Sequence, residues 1–282
     1  MDQRIYRRRL TVNLVGLTLS TLSMALGLIG LLWILWTLFY NGLSAFGPDF
    51  FLNSTPAPGS EGGGLANAIV GSLMMVGFAT LVSTPIGILA GVFLAEFGQE
   101  SRFASATRFV VDVMLSAPSI VIGLFVYAIA VATVKHFSGW AGSLALSLIA
   151  VPVVVRTTEN MLNLVPGSLR EAAFALGAPR WKVSLSVTLR AVRGGVTTGV
   201  LLAIARMIGE TAPLLFTALN NQFFSLDMGQ PLANLPVVIY NFAMSPYPDW
   251  QKLAWGGAAL IALIVLTINI AARLLFRDKL RA

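Results

Sequence analysis

Six apolar stretches dominate this 282-residue chain, and no soluble packing scheme has a use for that many. A membrane-crossing helix needs roughly 20 mostly apolar residues, because with no water nearby each backbone N–H and C=O must find its partner within the segment. Leu10–Tyr40 and Leu65–Ala95 meet that requirement without a charge, and Phe109–Val134 meets it with Asp112 near its start. Gly139–Val155 is shorter and stops at Arg156, Gly194–Leu219 contains Arg206 and Glu210, and Leu253–Ala272 completes the set. The chain is 11% charged, with a mean hydropathy of +0.80, well below the charged share of a soluble domain. The expectation is an all-α polytopic membrane protein of six spans, one transmembrane domain over residues 1–282, with spans four and five joined by the loop 156–193.

Arg4, Arg7, Arg8 and Arg9 precede the first run, as in a secretory signal. The apolar part far exceeds the ~7–15 residues of a signal core, so it reads as a retained anchor. Threading six spans places sixteen Lys and Arg on one side, including the N-terminal four, Arg102, Arg108, Arg156, Arg170, Arg180, Arg190, Arg193 and the C-terminal Arg273, Arg277, Lys279 and Arg281. The other side keeps only Lys135 and Lys252, with Asp49, Glu61, Asp227 and Asp249. Basic residues stay preferentially in the cytoplasm, so both termini are expected there. That also accounts for the net charge of +7, with basic residues flanking apolar runs and forming no recognition face for nucleic acid.

Several chemistries have no residues to work with. There is no cysteine, and His136 is the only histidine, so thiolate sites and paired-histidine zinc sites are excluded. Neither a GxSxG elbow nor a GxxxxGK[ST] phosphate loop occurs. A lipid-modifying enzyme loses support for the same reason: nothing clusters a nucleophile, a base or metal ligands. No metal or cofactor is expected on this chain.

Residues 53–64, NSTPAPGSEGGG, and the proline-rich 221–250 read as irregular outer connections, with Trp250 and Trp255 as interface anchors. Gly71, Gly77, Gly87 and Gly91 allow close approach along the second run, and Pro85, Pro118, Pro152 and Pro213 each interrupt a span. In the loop 156–193, Ser168 and Glu171 have the spacing of a reciprocal helix-start cap, Gly177 suits a left-handed helix end, and Pro179 suits the first turn of a second, basic helix bearing Trp181. On these residues alone the segment is either an interfacial hairpin or a knob that enters a groove on a partner.

The charges inside the fifth run carry the strongest functional signal. Arg206 and Glu210, four residues apart, share a helix face and can pair. An ionisable group at mid-bilayer costs on the order of 2.5–3.5 kcal/mol even on lenient scales, so it usually faces a protein interior or a wet path. One reading is a structural ion pair. The other is an anion path in which the planar guanidinium meets oxyanion oxygens, Glu210 keeps the resting site near neutral, and Thr211 adds a hydroxyl. Arg156, beside Thr157, Thr158 and Glu159, is the second path candidate, or else a snorkelling end-of-span residue. Asp112, beside Arg108, reads as a structural polar residue.

Glu171, Ala172, Ala173, three residues and Gly177 resemble the EAA---G loop of bacterial ABC importer permeases. The family's pattern continues with Val187 and Leu189, but Arg190 stands where it has proline, so the second helix is expected to leave the loop without the usual bend. Over nearly its whole length the chain is similar to the permease subunits of phosphate-specific ABC importers. The residues carrying this are GSEGGGLANAIVGSL (59–73), PIGILAGVFLAEF (85–97), SAPSIVIGLF (116–125), VPVVVRTTENMLNLVP (151–166) and IGETAPLLFTA (208–218). The resemblance implies a bacterial inner-membrane subunit of type I architecture with Arg156 and Arg206 in the translocation path. It also implies that Glu171, Ala172, Ala173 and Gly177 couple to an ATPase, with ATP and Mg used by that partner. A homologous second permease subunit and an external phosphate-binding protein would complete the assembly. The alternatives are an ABC permease for another oxyanion, such as molybdate or sulfate, and a proton-coupled secondary carrier using Arg206 and Glu210.

Overall fold

A computed structural model describes residues 3–60, 62–98 and 101–276. Glu61, Arg277, Lys279 and Arg281 lie outside the described residues. Among the described residues the chain is helical throughout its regular structure: α1 (Gln3–Leu43), α2 (Pro48–Leu52), α3 (Ala66–Val92), α4 (Arg102–Ser116), α5 (Ser119–Val126), α6 (Ala132–Val134), α7 (Gly139–Asn163), α8 (Gly167–Ala175), α9 (Arg180–Lys182), α10 (Leu189–Ala191), α11 (Arg193–Ile208), α12 (Ala212–Thr217), α13 (Leu235–Ala243) and α14 (Pro248–Phe276). Wider π turns follow α3 at Phe93–Phe97, α5 at Tyr127–Val131 and α9 at Val183–Thr188.

Among the described residues four helices are long and apolar enough to cross a membrane: Gln3–Leu43, Ala66–Phe97, Gly139–Asn163 and Pro248–Leu274. Two further stretches qualify only as bent pairs, Arg102–Ser116 with Ser119–Val134 at 106° and Arg180–Ala191 with Arg193–Ile208 at 74°, so the count reaches six if each pair is one span.

The centre of the molecule is the α3–α7 pair. A Cβ added to Gly87 would lie 2.6 Å from Val154 Cβ, and one on Gly91 would lie 2.6 Å from Thr158 Cβ, so these two glycines let the backbones approach, whereas Gly71 meets the Ala233 carbonyl and a Cβ on Gly77 would meet nothing within 4 Å. Around this seam Met75, Leu146, Val154, Ala203 and Met207 are buried together. Asn67, itself buried, fastens the outer loops: its Nδ2 donates to Thr55 Oγ1 and to the carbonyls of Asn221 and Gln222, and its Oδ1 accepts from the Thr55 amide. Helix α1 stands apart, with Gly42 its only buried residue, seated against Trp255 and Ala259 of α14.

Several expectations change. The third run is no straight helix: Pro118 removes a donor and holds Ala117 extended (φ −67°, ψ 136°), which turns the chain sharply. The fifth run ends as a helix at Ile208 and resumes at Ala212. Pro213 is the reason, since its ring would collide with the Gly209 carbonyl and it has no N–H to donate there. Pro85 and Pro152, by contrast, remain inside continuous helices. The Ser168–Glu171 cap is not formed, because Pro166 takes the N-cap position of α8 and no side chain caps it. Pro179 is the N-cap residue before α9, one place earlier than expected. Finally, the chain bends by 74° at Val192 although Arg190 replaces the family's proline; a tight backbone turn at Val192 (φ −107°, ψ 12°) supplies the bend.

A candidate anion path and coupling loop

Arg206 sits in the last turn of α11, with its side chain 42% exposed. Its Nε lies 3.3 Å from Oε1 of Glu210, whose side chain is 13% exposed. The expected pair therefore forms, across the end of a helix instead of along its middle. The Gly209 amide donates to the Arg206 carbonyl at 3.2 Å and the Glu210 amide to that of Met207 at 3.3 Å, the tightened turn that closes a helix. Thr211 follows as the N-cap residue of α12, half-buried and without capping through its side chain. The break packs against the bent third segment, where a Cβ on Gly123 would lie 2.6 Å from Pro213 Cα.

Arg156 lies elsewhere. Gly195 of α11 meets Met161 of α7 and Gly199 meets Thr157, so the two helices run antiparallel in a fixed register. Carrying that register along α11 sets Arg206 level with Ala150, six residues from Arg156, or about 9 Å along the helix. Arg156 instead joins a charge network. Its Nη1 donates to Glu159 Oε2 at 3.1 Å and its Nη2 to Asp112 Oδ1. Glu159, only 5% exposed at its side chain, receives Arg108 Nε on its other oxygen at 2.6 Å, while Arg108 Nη2 reaches the Leu94 carbonyl at 2.7 Å. Two arginines and two carboxylates thus tie α4 to α7, and the Leu94 contact adds the π turn that follows α3. Asp112, at 56% exposure, is the most exposed member.

In the loop, Glu171 and Ala172 are exposed and Ala173 is half-buried. Gly177 is exposed with φ +77°, in the left-handed region that favours glycine. Its amide donates to the Phe174 carbonyl at 2.9 Å and the Ala178 amide to that of Ala173 at 3.3 Å, the two bonds of a Schellman end. No residue of α8 is buried, and Leu176 beside it is 90% exposed.

What holds so open a helix in place is an ion pair that sequence reasoning did not single out. Arg170 Nη2 lies 2.9 Å from Glu96 Oε1, its Nε lies 3.2 Å from both carboxylate oxygens, and Nη1 and Nη2 also reach the carbonyls of Val165 and Leu162. The available signal was Glu96 itself, the first charge after the Leu65–Ala95 run.

Residues 85–278 match a family described as "Binding-protein-dependent transport system inner membrane component". The chain belongs to that family. As a binding-protein-dependent permease it is a transport subunit of the inner membrane, of the ABC permease type. Proteins named phosphate transport system permease protein PstA are similar to it: that of Pasteurella multocida (strain Pm70) is 58% identical over 279 residues, 99% of each chain. PstA of Haemophilus influenzae is 58% identical over 276 residues, 98% of this chain and 97% of the relative. PstA 1 of Mycobacterium tuberculosis is 39% identical over 220 residues, 77% and 72% of the two chains. Among solved structures, a permease chain of the MetNI methionine ABC transporter in an inward-facing conformation superposes with a TM-score of 0.58 at 18% identity, over 75% of this chain and 92% of its own. A bacterial ABC transporter involved in the import of alginate gives 0.58 at 15% identity, over 92% and 96%. These likenesses establish the permease fold.

Proposed function

We propose that this chain is one permease subunit of an ATP-driven importer of inorganic phosphate, contributing half of the path and receiving the ATPase motion through Gly167–Gly177. The names of its relatives support the substrate, and the sixteen-to-two distribution of basic residues supports cytoplasmic termini. Its partners in this reading are a homologous permease subunit, ABC ATPase subunits that use ATP and Mg2+, and an external phosphate-binding protein.

One observation carries the mechanism: a guanidinium that keeps 42% of its side chain open while holding a carboxylate at 3.3 Å beside a helix break. Arg206 offers planar N–H donors that match two phosphate oxygens, where lysine would offer a point charge. Glu210 accepts from one of those donors, Nε, when no anion is present, so the resting site is near neutral and phosphate enters by displacing a ligand already there. Such a site binds briefly and releases, as a path requires. Thr211 lies beside the same break. Arg156, held by Asp112 and Glu159, stands nearer the loop end of α7 and serves as a second station only if Asp112 yields.

The test is phosphate uptake into proteoliposomes carrying the complete transporter. Uptake that requires internal ATP and external binding protein supports the reading. Uptake that persists without ATP under an imposed proton gradient identifies a secondary carrier and overturns it.

A further inference from the structure

A groove of about 890 Å³ opens at the elbow where α10 turns into α11 and both meet the end of α7. At a water's share of ~30 Å³, it has room for a hydrated oxyanion many times over. Its lining includes Arg190, Arg193, Thr157, Thr198, Gly199 and Leu202 and, among the described residues, no acidic one. Arg108, Arg156, Arg170 and Arg206 each hold a carboxylate. Arg190 and Arg193 hold none among the described residues. Two uncompensated guanidinium groups on one concave surface make a local positive field that gathers anions.

The groove lies on the same helix as the site already described, one turn short of it. Gly195, Gly199, Leu202 and Arg206 follow at steps of four, three and four, so they lie along one face of α11. The first three line the groove, and Arg206 is one turn beyond. The 74° bend sets Arg190 at the groove's far end, in the position where the family pattern has an uncharged proline.

We propose that this groove is a second, inner anion site, where inorganic phosphate leaving Arg206 is held by Arg190 and Arg193 before release at the coupling-loop end. The proposal rests on the transport reading above and adds a station to it. The two sites differ in one physical respect: at Arg206 a built-in carboxylate competes with the anion, and in the groove no described residue does. The inner site is therefore open to phosphate from the exit side as well, so accumulated product reaches the transporter there.

The chain has no cysteine, so Thr198→Cys introduces a thiol unique within this subunit, and the same complex without the substitution gives the background to subtract. In the assembled transporter in nanodiscs of neutral lipid, the rate at which an anionic thiol reagent modifies that thiol reports the local field. The expected rate is about tenfold higher with both arginines present than in the Arg190→Gln/Arg193→Gln background, and added inorganic phosphate slows it only when the arginines are present. A cationic reagent should show the reverse preference. If phosphate gives no protection, if protection survives loss of both arginines, or if protection appears only with anionic lipid, the inner site is refuted. Phosphate uptake by the transporter without substitutions, measured alongside in proteoliposomes, separates the two ideas: intact uptake without protection removes the groove site alone, whereas absent uptake removes the transport reading.

Discussion

Arg170 grips Glu96 across 74 positions of sequence, with Nε 3.2 Å from each carboxylate oxygen and Nη2 2.9 Å from one of them. The pair fastens α8, which buries nothing of its own, to the base of α3. In the proposed coupling role α8 passes a push into the membrane, which needs a stiff link at its root, and this pair would supply it.

Removing one partner should therefore harm more than removing both. Glu96→Gln or Arg170→Met alone leaves a largely buried charge without its mate, at about 2–3 kcal/mol. The double variant should recover part of the loss, both in the thermal stability of the purified complex and in the ratio of phosphate moved to ATP hydrolysed. Strictly additive losses in a double-mutant cycle would show that the two side chains do not act together.

Gly177→Ala should strain the Schellman end of α8 by about 1–2 kcal/mol, since φ is +77° and a Cβ is disfavoured there. Gly177→Asp adds a charge on the exposed face without altering any buried contact. ATP hydrolysis by the assembled complex should then run on while phosphate uptake falls, with membrane insertion unchanged. Undiminished uptake by Gly177→Asp would remove the coupling role of the loop.

Gly91→Leu should separate α3 from α7. A Cβ there would lie 2.6 Å from Thr158 Cβ and 2.8 Å from the Val155 carbonyl, contacts that neither backbone nor a β-branched neighbour can yield cheaply. Overpacking of this kind typically costs about 1–3 kcal/mol. A lower melting temperature of the purified transporter is the expected result. Gly77→Leu, where a Cβ meets nothing within 4 Å of this chain, is the matched control and should have little effect on the isolated subunit.

These positions show how far the sequence could be read. The apolar runs, the left-handed end at Gly177 and the pairing of Arg206 with Glu210 are local properties, set by hydropathy, backbone freedom and helical spacing within a few residues. The partner of Arg170 lies 74 residues away, and that of Arg108 lies 51 away. No short-range rule pairs them, because several arginines and few acids were available. Arg156 illustrates the same limit: Glu159, three residues on, is within reach of a local rule, whereas Asp112 of α4 reaches it only through folding. The breaks at Pro118 and Pro213 were legible as interruptions, but whether a proline kinks, bends by 106° or is absorbed depends on what packs beside it. At Pro213 the neighbour is Gly123, and at Pro85 and Pro152 the helix runs through.

Uptake by Arg206→Gln in the fully assembled transporter tests the central claim most directly. Losing a charge-assisted contact of about 1.5–3 kcal/mol to the passing anion should lower phosphate flux by about tenfold or more, with the complex still assembled and its ATPase still active. Flux equal to that of the unsubstituted transporter would mean that Arg206 and Glu210 only pin a helix end, and the anion crosses elsewhere.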